Sequence, residues 1–270
     1  MKKFIFLGFL LGLSTLFAFA GSSKAGVLTD FEFSIGAIQQ KPSGFVFYKA
    51  GSSVDHVDVR DDVHLGDKVK PWLRLKLEYS ILFLPNIKLA YMPMKFDGKG
   101  ELTRDIKWGR HTYQAKADFD LSVKLDRVDT ILYYNIPFIK KATAGMLDVE
   151  LGLNVRTILF DSKLRRRDRS TGESISESKS LTLLIPMGHL AVEVKPIKPV
   201  SLVGELNFIG YNKNTYYDYV AGVRVNAPIQ TLLKPFVEVG YRYERLKIDE
   251  QDVKTDWKTK GVYGMVGVRF

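Results

Sequence analysis

Every second residue is apolar along many stretches of this 270-residue chain. The run WLRLKLEY at 72–79 alternates leucines with charged residues. A strand places such neighbours on opposite faces, whereas a helix would scatter the charges around its circumference. The alternation recurs at 147–155, 217–225, 237–243 and 262–270. It predicts antiparallel strands with one apolar face and one polar face.

The alternating segments predict ten strands. Their ranges are 29–39, 71–80, 86–106, 112–136, 147–163, 178–195, 199–211, 215–227, 235–248 and 257–270. Single-chain bacterial outer-membrane barrels have an even number of strands. A hairpin at 45–49 and 54–59 would raise the count to twelve. We predict an all-β fold, a transmembrane antiparallel up-and-down β-barrel of about ten strands, with the loop at 40–70 folded over its outer mouth.

The connections set the orientation of the predicted barrel. Proline-containing turns lie on the side of both termini, at 84–86, 137–145, 196–199 and 228–235. Periplasmic turns are short and extracellular loops longer, so the opposite side, with 40–70 and 164–177, is expected to face outside. The strands that flank 107–111 are about twice as long as a bilayer crossing needs, so their hairpin should stand clear of the membrane.

The apolar positions change parity within two long strands. One change lies between Leu125 and Val128, and the other lies around Pro186. A β-bulge adds one residue to a strand and exchanges its two faces. We therefore predict a bulge at each place.

The N-terminus has the pattern of an export signal. Two lysines precede an apolar run at 4–17, and Ala18-Phe19-Ala20 offers a small-residue cleavage site. This predicts a signal peptide at 1–20 and one barrel domain at 21–270. The alternative is an N-terminus that stays anchored in the membrane.

The composition narrows the class of protein. The absence of cysteine excludes disulfides, thiolate zinc sites and thiol catalysis. A soluble β-sandwich also alternates, but long strands, abundant tyrosine and a terminal aromatic residue favour a barrel. We expect the cell outer membrane as the location, reached through the cleaved signal peptide.

Several short motifs resemble a known family. They are LPNIKL at 84–89, GELTR at 100–104, DRVDTILYY at 126–134, and the region of Gly44, Asp58 and Asp61-Asp62. This part of the chain, from about 31 to 136, resembles a family of small Gram-negative outer-membrane β-barrel proteins named for a Gly-Gly hairpin motif. Gly109-Arg110 stands where the glycine pair is expected. The resemblance implies the fold and the location, and no activity, since the family has none assigned.

The last strand resembles the signal that the barrel-assembly machinery reads. Phe270 is the last residue, and Val268, Val266 and Tyr263 precede it. The alternative is an ordinary last strand that happens to end in an aromatic residue. We expect this machinery as a partner during insertion.

The polar faces, if turned inward, predict a lumen of nearly balanced charge. The acids are Glu32, Glu78, Asp118, Asp120, Asp129, Asp148, Glu150, Glu193, Glu205, Asp218, Glu238 and Glu244, and the bases are Arg74, Lys76, Lys88, Lys124, Arg127, Arg156, Lys195, Arg224, Arg242 and Arg269. Barrels of eight strands are filled by side chains, whereas aqueous channels need about sixteen. We expect ten strands to close on a network of ion pairs that leaves little conductance. The alternative is a narrow pore for small solutes or ions.

The chain has a net charge of +10, and part of this excess is concentrated in one loop. Lys163, Arg165, Arg166, Arg167 and Arg169 are candidate contacts for lipopolysaccharide phosphates, because guanidinium groups pair well with phosphate. The alternative is a solvated loop whose charges only keep it soluble. Outer-membrane lipid and lipopolysaccharide are the expected partners; nucleic acid is excluded by the compartment, and a monomer is expected.

Catalytic and metal sites are weakly indicated. Of the four histidines, His56 and His64 lie near aspartates in the first loop, while His111 and His189 lack such neighbours in sequence. No recognised motif ties a nucleophile to any of them. The aspartates at 55, 58, 61, 62 and 67 lack the ordered spacing of a calcium loop. We expect a structural or surface-binding barrel without catalytic residues, cofactor or metal, and keep an outer-membrane hydrolase as a further alternative.

Overall fold

The computed structural model describes residues 28–48, 56–62, 64–81, 83–101, 105–108, 111–113, 118–167, 174–229, 232–250 and 253–270. The predicted signal peptide lies outside these residues. No helix within them is long and apolar enough to cross a membrane.

Fourteen strands and one short helix make up the described chain. They are β1 Leu28–Tyr48, β2 His56–Asp58, β3 Lys68–Tyr79, β4 Asn86–Met92, β5 Lys95–Glu101, β6 Ile106–Trp108, β7 His111–Tyr113, β8 Asp118–Asn135, α1 Pro137–Ala142, β9 Leu147–Arg167, β10 Ser174–Ile197, β11 Val200–Tyr211, β12 Asn214–Asn226, β13 Lys234–Glu250 and β14 Val253–Arg269.

Ten strand positions form a closed antiparallel wall, as the alternation predicted. β4 and β5 occupy one position, because both pair with β8 in a single register that is interrupted at Pro93. β14 pairs with β1 and closes the barrel, and Phe31 and Phe270 exchange backbone hydrogen bonds of 2.8 and 2.9 Å there. β2 pairs with the outer end of β1, beyond the residues that pair with β3, and β6 and β7 form a separate hairpin. The predicted extra hairpin therefore adds no strand position to the wall.

The strands are steeply tilted. A path of paired residues that leaves β1 at Ser43 and follows the ladders once around the barrel returns to β1 at Phe31. This displacement of twelve residues is the stagger of the barrel, and for ten strands it matches a tilt of about 40°.

The outer wall carries a broad apolar band. Outward side chains that stay exposed include Leu132, Leu151, Leu153, Val155, Leu190, Leu202, Leu206, Val223, Val237, Val239, Val262 and Val266. Such a continuous band is stable only against lipid, which makes the chain a membrane-spanning barrel of the outer-membrane type.

The inward face keeps one parity along each long strand. β8 pairs with β9 in unbroken register from Asp118 to Asn135, and β9 pairs with β10 without a shift from Leu147 to Arg167. Both predicted bulges are therefore wrong. The apolar pattern changes parity because the contents of the lumen change from charged to apolar along these strands.

An apolar layer fills the outer end of the lumen. Its buried members are Ile38, Val59, Leu65, Trp72, Met92, Met94, Phe96, Phe119, Leu121, Val220, Trp257, Tyr263 and Met265. Val59 and Leu65 come from the first loop, where Leu65 N–H donates to the Val59 carbonyl at 2.8 Å. The described part of this loop thus enters the outer mouth.

The turn between β8 and β9 holds the helix, which the sequence pattern did not predict. Pro137 begins it, and the Thr143 hydroxyl bonds the Ile139 carbonyl at 2.8 Å where it ends. Proline is favoured at a helix N-terminus because its missing N–H has no partner there anyway. Six residues are too few to show an apolar period.

Candidate functional site

A charged layer fills the lumen on the periplasmic side of the apolar layer. Its members are Glu32, Arg74, Lys76, Glu78, Lys88, Arg127, Asp129, Glu150, Arg156, Glu205, Asp218, Arg224, Glu238, Arg242 and Glu244. Inward positions of all the wall strands except β10 and β14 supply these side chains.

Two lysines and two glutamates form one group in this layer. Lys76 Nζ lies 2.6 Å from Glu150 Oε1, and Lys88 Nζ lies 3.0 Å from Glu150 Oε2 and 3.1 Å from Glu205 Oε2. Both ammonium groups also lie 5.5 Å from the centre of the Tyr133 ring. The group joins β3 and β4 to β9 and β11 across the lumen.

Arg224 is the centre of a second group. It donates two hydrogen bonds to Glu32, at 2.8 and 2.9 Å, and two to Glu238 Oε2, at 2.8 and 3.0 Å. Arg74 donates to the other Glu238 oxygen at 2.7 Å. Each carboxylate is thereby bonded by guanidinium groups, which is the geometry that offsets the cost of burying charge.

Arg156 lies in a third group, nearest the apolar layer. It is fully buried and donates to Asp129 at 2.6 Å and to Asp218 at 2.5 Å. Arg242 donates two bonds to the same Asp218, at 2.7 and 2.8 Å. Arg242 also reaches Glu244 at 3.0 Å.

The Met92 sulfur connects the two layers. It accepts hydrogen bonds from Arg242 at 3.0 Å and from Arg127 at 3.4 Å, while its side chain packs in the apolar layer. Arg127 also reaches across the lumen from β8 to Glu244 on β13, at 2.7 Å. No water-wide gap separates the layers at this point.

The other predicted network members lie nearer the periplasmic end. Arg269 pairs with Asp30 at 2.6 Å, and Glu78 pairs with Lys76 at 2.9 Å. Asp148 is paired with Lys140 of α1 at 2.7 Å instead of with a lumen base. The sequence prediction did not include Asp30, although it has the parity of Glu32, or Lys140, which lies in the helix that the pattern did not predict.

Three residues predicted for the lumen lie outside it. Asp118, Asp120 and Lys124 occupy the outward positions of β8, because β8 contains no bulge. Asp120 pairs there with Lys99 at 3.3 Å, and both side chains are largely exposed. These residues belong to the part of β8 that stands above the membrane.

A small cavity remains within the charged layer. It has about 60 Å³ of space for water-sized molecules and is lined by Glu32, Arg74, Lys76, Lys88, Glu150, Ala191, Val192, Glu193, Val203, Gly204, Glu205, Val220, Arg224 and Glu238. This is room for roughly four waters at about 15 Å³ each. The apolar layer closes the route from it to the outer mouth.

The side chains of two histidines are described, and they lie in different surroundings. His189 is buried, with Nδ1 3.0 Å from the Asn207 side-chain oxygen and Nε2 3.8 Å from Glu150. His64 is exposed and stacks on Phe119 at 5.9 Å. The side chains of His56 and His111 lie outside the described residues. No cluster of three metal-ligating residues occurs in the described part of the chain.

Tyr263, predicted as part of the assembly signal, turns into the lumen. Its hydroxyl donates to Glu238 at 2.9 Å, and its ring occupies space that a Cβ at Gly222 or Gly240 would need. Val266, Val268 and Phe270 have the opposite parity and face outward. Tyr263 therefore differs in parity from the other three residues of the terminal pattern.

The described part of the predicted cationic loop continues β9 beyond the apolar band. Lys163 and Arg165 are exposed on β9, beyond Asp161. In the pairing of β8 with β9, Asp120 lies opposite Arg165 and Asp118 opposite Arg167. The side chains of Arg166 and Arg167 are not described, and Arg169 lies outside the described residues.

Comparisons with known proteins yield other barrels. No protein-family model matches the chain, and no curated protein matches its sequence. Among solved structures, outer membrane protease OmpT from Escherichia coli is 10% identical over 92% of this chain and 99% of its own, with a TM-score of 0.43. The translocator domain of autotransporter NalP from Neisseria meningitidis is 12% identical over 100% and 97%, with a TM-score of 0.40. Ail of Yersinia pestis is 14% identical over 89% and 98%, with a TM-score of 0.31. At these scores, the barrel assignment rests on the sheet closure of the chain itself.

Proposed function

We propose that this outer-membrane barrel is a non-conducting structural or surface-binding protein. The observation that carries the proposal is the filling of the lumen by two successive layers. Ion pairs join opposite walls in the charged layer, and aromatic and methionine side chains occupy the apolar layer.

The apolar layer is the stronger barrier. Trp257 lies 5.6 Å from Phe96, and Trp72 lies 5.1 Å from Tyr263, measured between ring centres. An ion that entered this packing would lose its hydration shell and gain no polar partner, so apolar constrictions exclude water and ions.

The second candidate function is a narrow pore for small solutes or ions. The charged cavity favours it, because its acids and bases could replace part of an ion's hydration. Conduction would require the apolar layer and the segment at 59–65 to move out of the mouth.

Liposome swelling separates the two candidates. Purified protein in vesicles should give no swelling with ions or small sugars above that of protein-free vesicles, and planar bilayers should show no stable openings. A trimeric porin in matched vesicles is the positive control. Reproducible openings of uniform size would contradict the closed-lumen proposal and favour the pore.

We propose further that the chain has no hydrolytic activity. This is supported by His64, which stacks on an aromatic ring, and by His189, which is bonded to an amide. Incubation with lipid A or with peptide libraries should yield no product. Product formation that disappears in His56→Ala or His64→Ala would overturn this proposal.

We propose that the chain is related to the family named for a Gly-Gly hairpin. In support, Trp108 pairs with His111, so only Gly109 and Arg110 separate these paired residues at the place where the glycine pair is expected. We also propose export through a cleaved signal peptide. Intact mass of the protein from outer membranes should correspond to a chain that starts at Gly21, and a mass that retains 1–20 would refute cleavage.

A further inference from the structure

A group of stacked tyrosines marks the outer membrane boundary on one side of the barrel. Tyr243 on β13 lies 5.3 Å from Tyr219 and 6.0 Å from Tyr217 on β12, with the rings nearly parallel. All three occupy outward positions, directly above the apolar band. Tyrosine rings concentrate at the level of the lipid headgroups, so the next outward residues lie among the headgroups.

Five cations occupy the outward positions directly above these rings. This cationic patch consists of Lys41 on β1, Arg245 and Lys247 on β13, and Lys258 and Lys260 on β14. Tyr243, Arg245 and Lys247 are successive outward residues of one strand. The patch begins beside Tyr243, because Lys260 is the partner of Tyr243 in the β13–β14 ladder.

The patch contains too few carboxylates to neutralise its five cations. Lys260 pairs with Lys41 in the β1–β14 ladder, an arrangement of like charges that is unfavourable unless an anion binds between them. Lys41 approaches Asp67 only to 3.9 Å, and that carboxylate also binds Arg60 at 2.5 Å. Neither Lys247 nor Lys260 forms an ion pair with a residue whose side chain the structure describes.

Asp256 is the main carboxylate within the patch. It accepts two hydrogen bonds from Arg245, at 2.8 and 2.7 Å, and lies 3.5 Å from Lys258. The hydrogen bonds from Arg245 hold the pKa of Asp256 below its ordinary range, so it is charged at neutral pH. It neutralises one cation and leaves a strong excess of positive charge.

The opposite wall carries charges that are balanced. On β5, β8 and β9, Lys95 pairs with Asp97 at 3.0 Å and Lys99 pairs with Asp120 at 3.3 Å. Lys124 lies opposite Asp161 in the ladder. At these positions the cations are matched by carboxylates, and Lys163 and Arg165 lie farther out on β9.

We propose that the cationic patch binds the phosphate groups of a phosphorylated glycolipid of the outer leaflet. The tyrosines lie against the sugar and upper acyl region, while Lys41, Lys258 and Lys260 surround a phosphate. The occupant is a lipid, because a ligand at this height shares the boundary with acyl chains. The patch is separate from the lumen, so the proposal does not depend on whether the barrel conducts.

The test uses fluorescent lipopolysaccharide and the full chain in detergent micelles. Lys258→Gln with Lys260→Gln should weaken binding about thirtyfold, since each cation near an anionic lipid surface contributes about a factor of five. Lys95→Gln with Lys99→Gln, on the opposite wall, is the matched control and should change affinity less than about threefold. Heat-modifiable migration on gels verifies that both variants are folded.

Two further measurements test the effect of the Asp256 carboxylate and the identity of the ligand. Asp256→Asn removes the carboxylate and should tighten binding several-fold. Lipid A without its phosphates should not bind the wild type, and inorganic phosphate at equal phosphate concentration should not displace lipopolysaccharide. The proposal is wrong if the Lys258 and Lys260 variant binds like the wild type, if the control loses as much, or if inorganic phosphate competes.

Discussion

Arg156 has no exposed surface, although it carries a permanent charge. Its position in the lumen follows from sequence, because it continues the polar parity of 147–155. Its partners do not follow, since Asp129 and Asp218 lie on other strands and are brought together only by the stagger of the barrel. Parity predicts which residues turn inward, and register decides which of them meet.

Loss of the Arg156 guanidinium should be strongly destabilising. Arg156→Met would remove the bonds of 2.6 and 3.2 Å to Asp129 and the bond to Asp218. Asp129 would keep the more distant Arg127, at 3.4 Å, and breaking a buried pair of this kind typically costs about 3–5 kcal/mol. Lys99→Met, which breaks the exposed pair with Asp120, should cost less than about 1 kcal/mol. Urea unfolding in lipid vesicles, followed by tryptophan fluorescence, measures both. Equal destabilisation would show that the buried network does not stabilise the barrel.

At the scale of the strand, the sequence pattern predicted the number and order of the wall strands correctly. Its prediction of two β-bulges was wrong. The pattern gave ten wall strands, and closure of β14 on β1 confirms them. A change of apolar parity has two physical causes, an added residue or a change in what the inner face contacts. Only the second operates at Leu125 and Pro186, where the lumen becomes apolar. A single sequence does not distinguish the two causes.

Phe270 completes the seam between the first and last strands. Its backbone exchanges two hydrogen bonds with Phe31, and the two rings lie 5.0 Å apart. Phe270→Ala keeps the backbone bonds, so the folded barrel should lose about 1–2 kcal/mol of stability through apolar burial. If the terminal pattern is read during insertion, folded protein should accumulate far more slowly.

A pulse-chase experiment separates these two effects of Phe270→Ala. The heat-modifiable band should appear several-fold more slowly than in wild type, while the urea midpoint of purified protein shifts little. Val268→Ala, at an outward position of the same strand, tests whether any outward residue has this effect. An unchanged rate of assembly would show that Phe270 contributes only to the packing between the first and last strands.

At the scale of the whole molecule, two barriers lie in series. The apolar layer closes the outer end, and the group around Arg156 and Arg242 closes the level beneath it. The sequence predicted the charged barrier from balanced lumen charges. It did not predict the apolar one, because Met92 and Phe96 on β4 and β5 meet Trp257 on β14 only when the barrel closes.

Opening the outer barrier alone should therefore not create a channel. Phe96→Ala with Trp257→Ala would remove two large rings and should destabilise the barrel by several kcal/mol. Planar-bilayer current should nevertheless remain at baseline, because the ion pairs beneath still cross the lumen. The same substitutions combined with Arg242→Ala should give measurable current. Conductance from the two aromatic substitutions alone would show that the charged layer is permeable.

The unbroken register of β8, β9 and β10 also limits how related chains can differ in length. A one-residue insertion in these strands would turn every residue beyond it to the other side, which would place Arg156 and Asp129 in lipid and leucines among the charges. A two-residue insertion keeps the sides and only lengthens the strand. Homologues should accordingly vary freely in loop length, and their spanning segments should gain or lose residues in pairs.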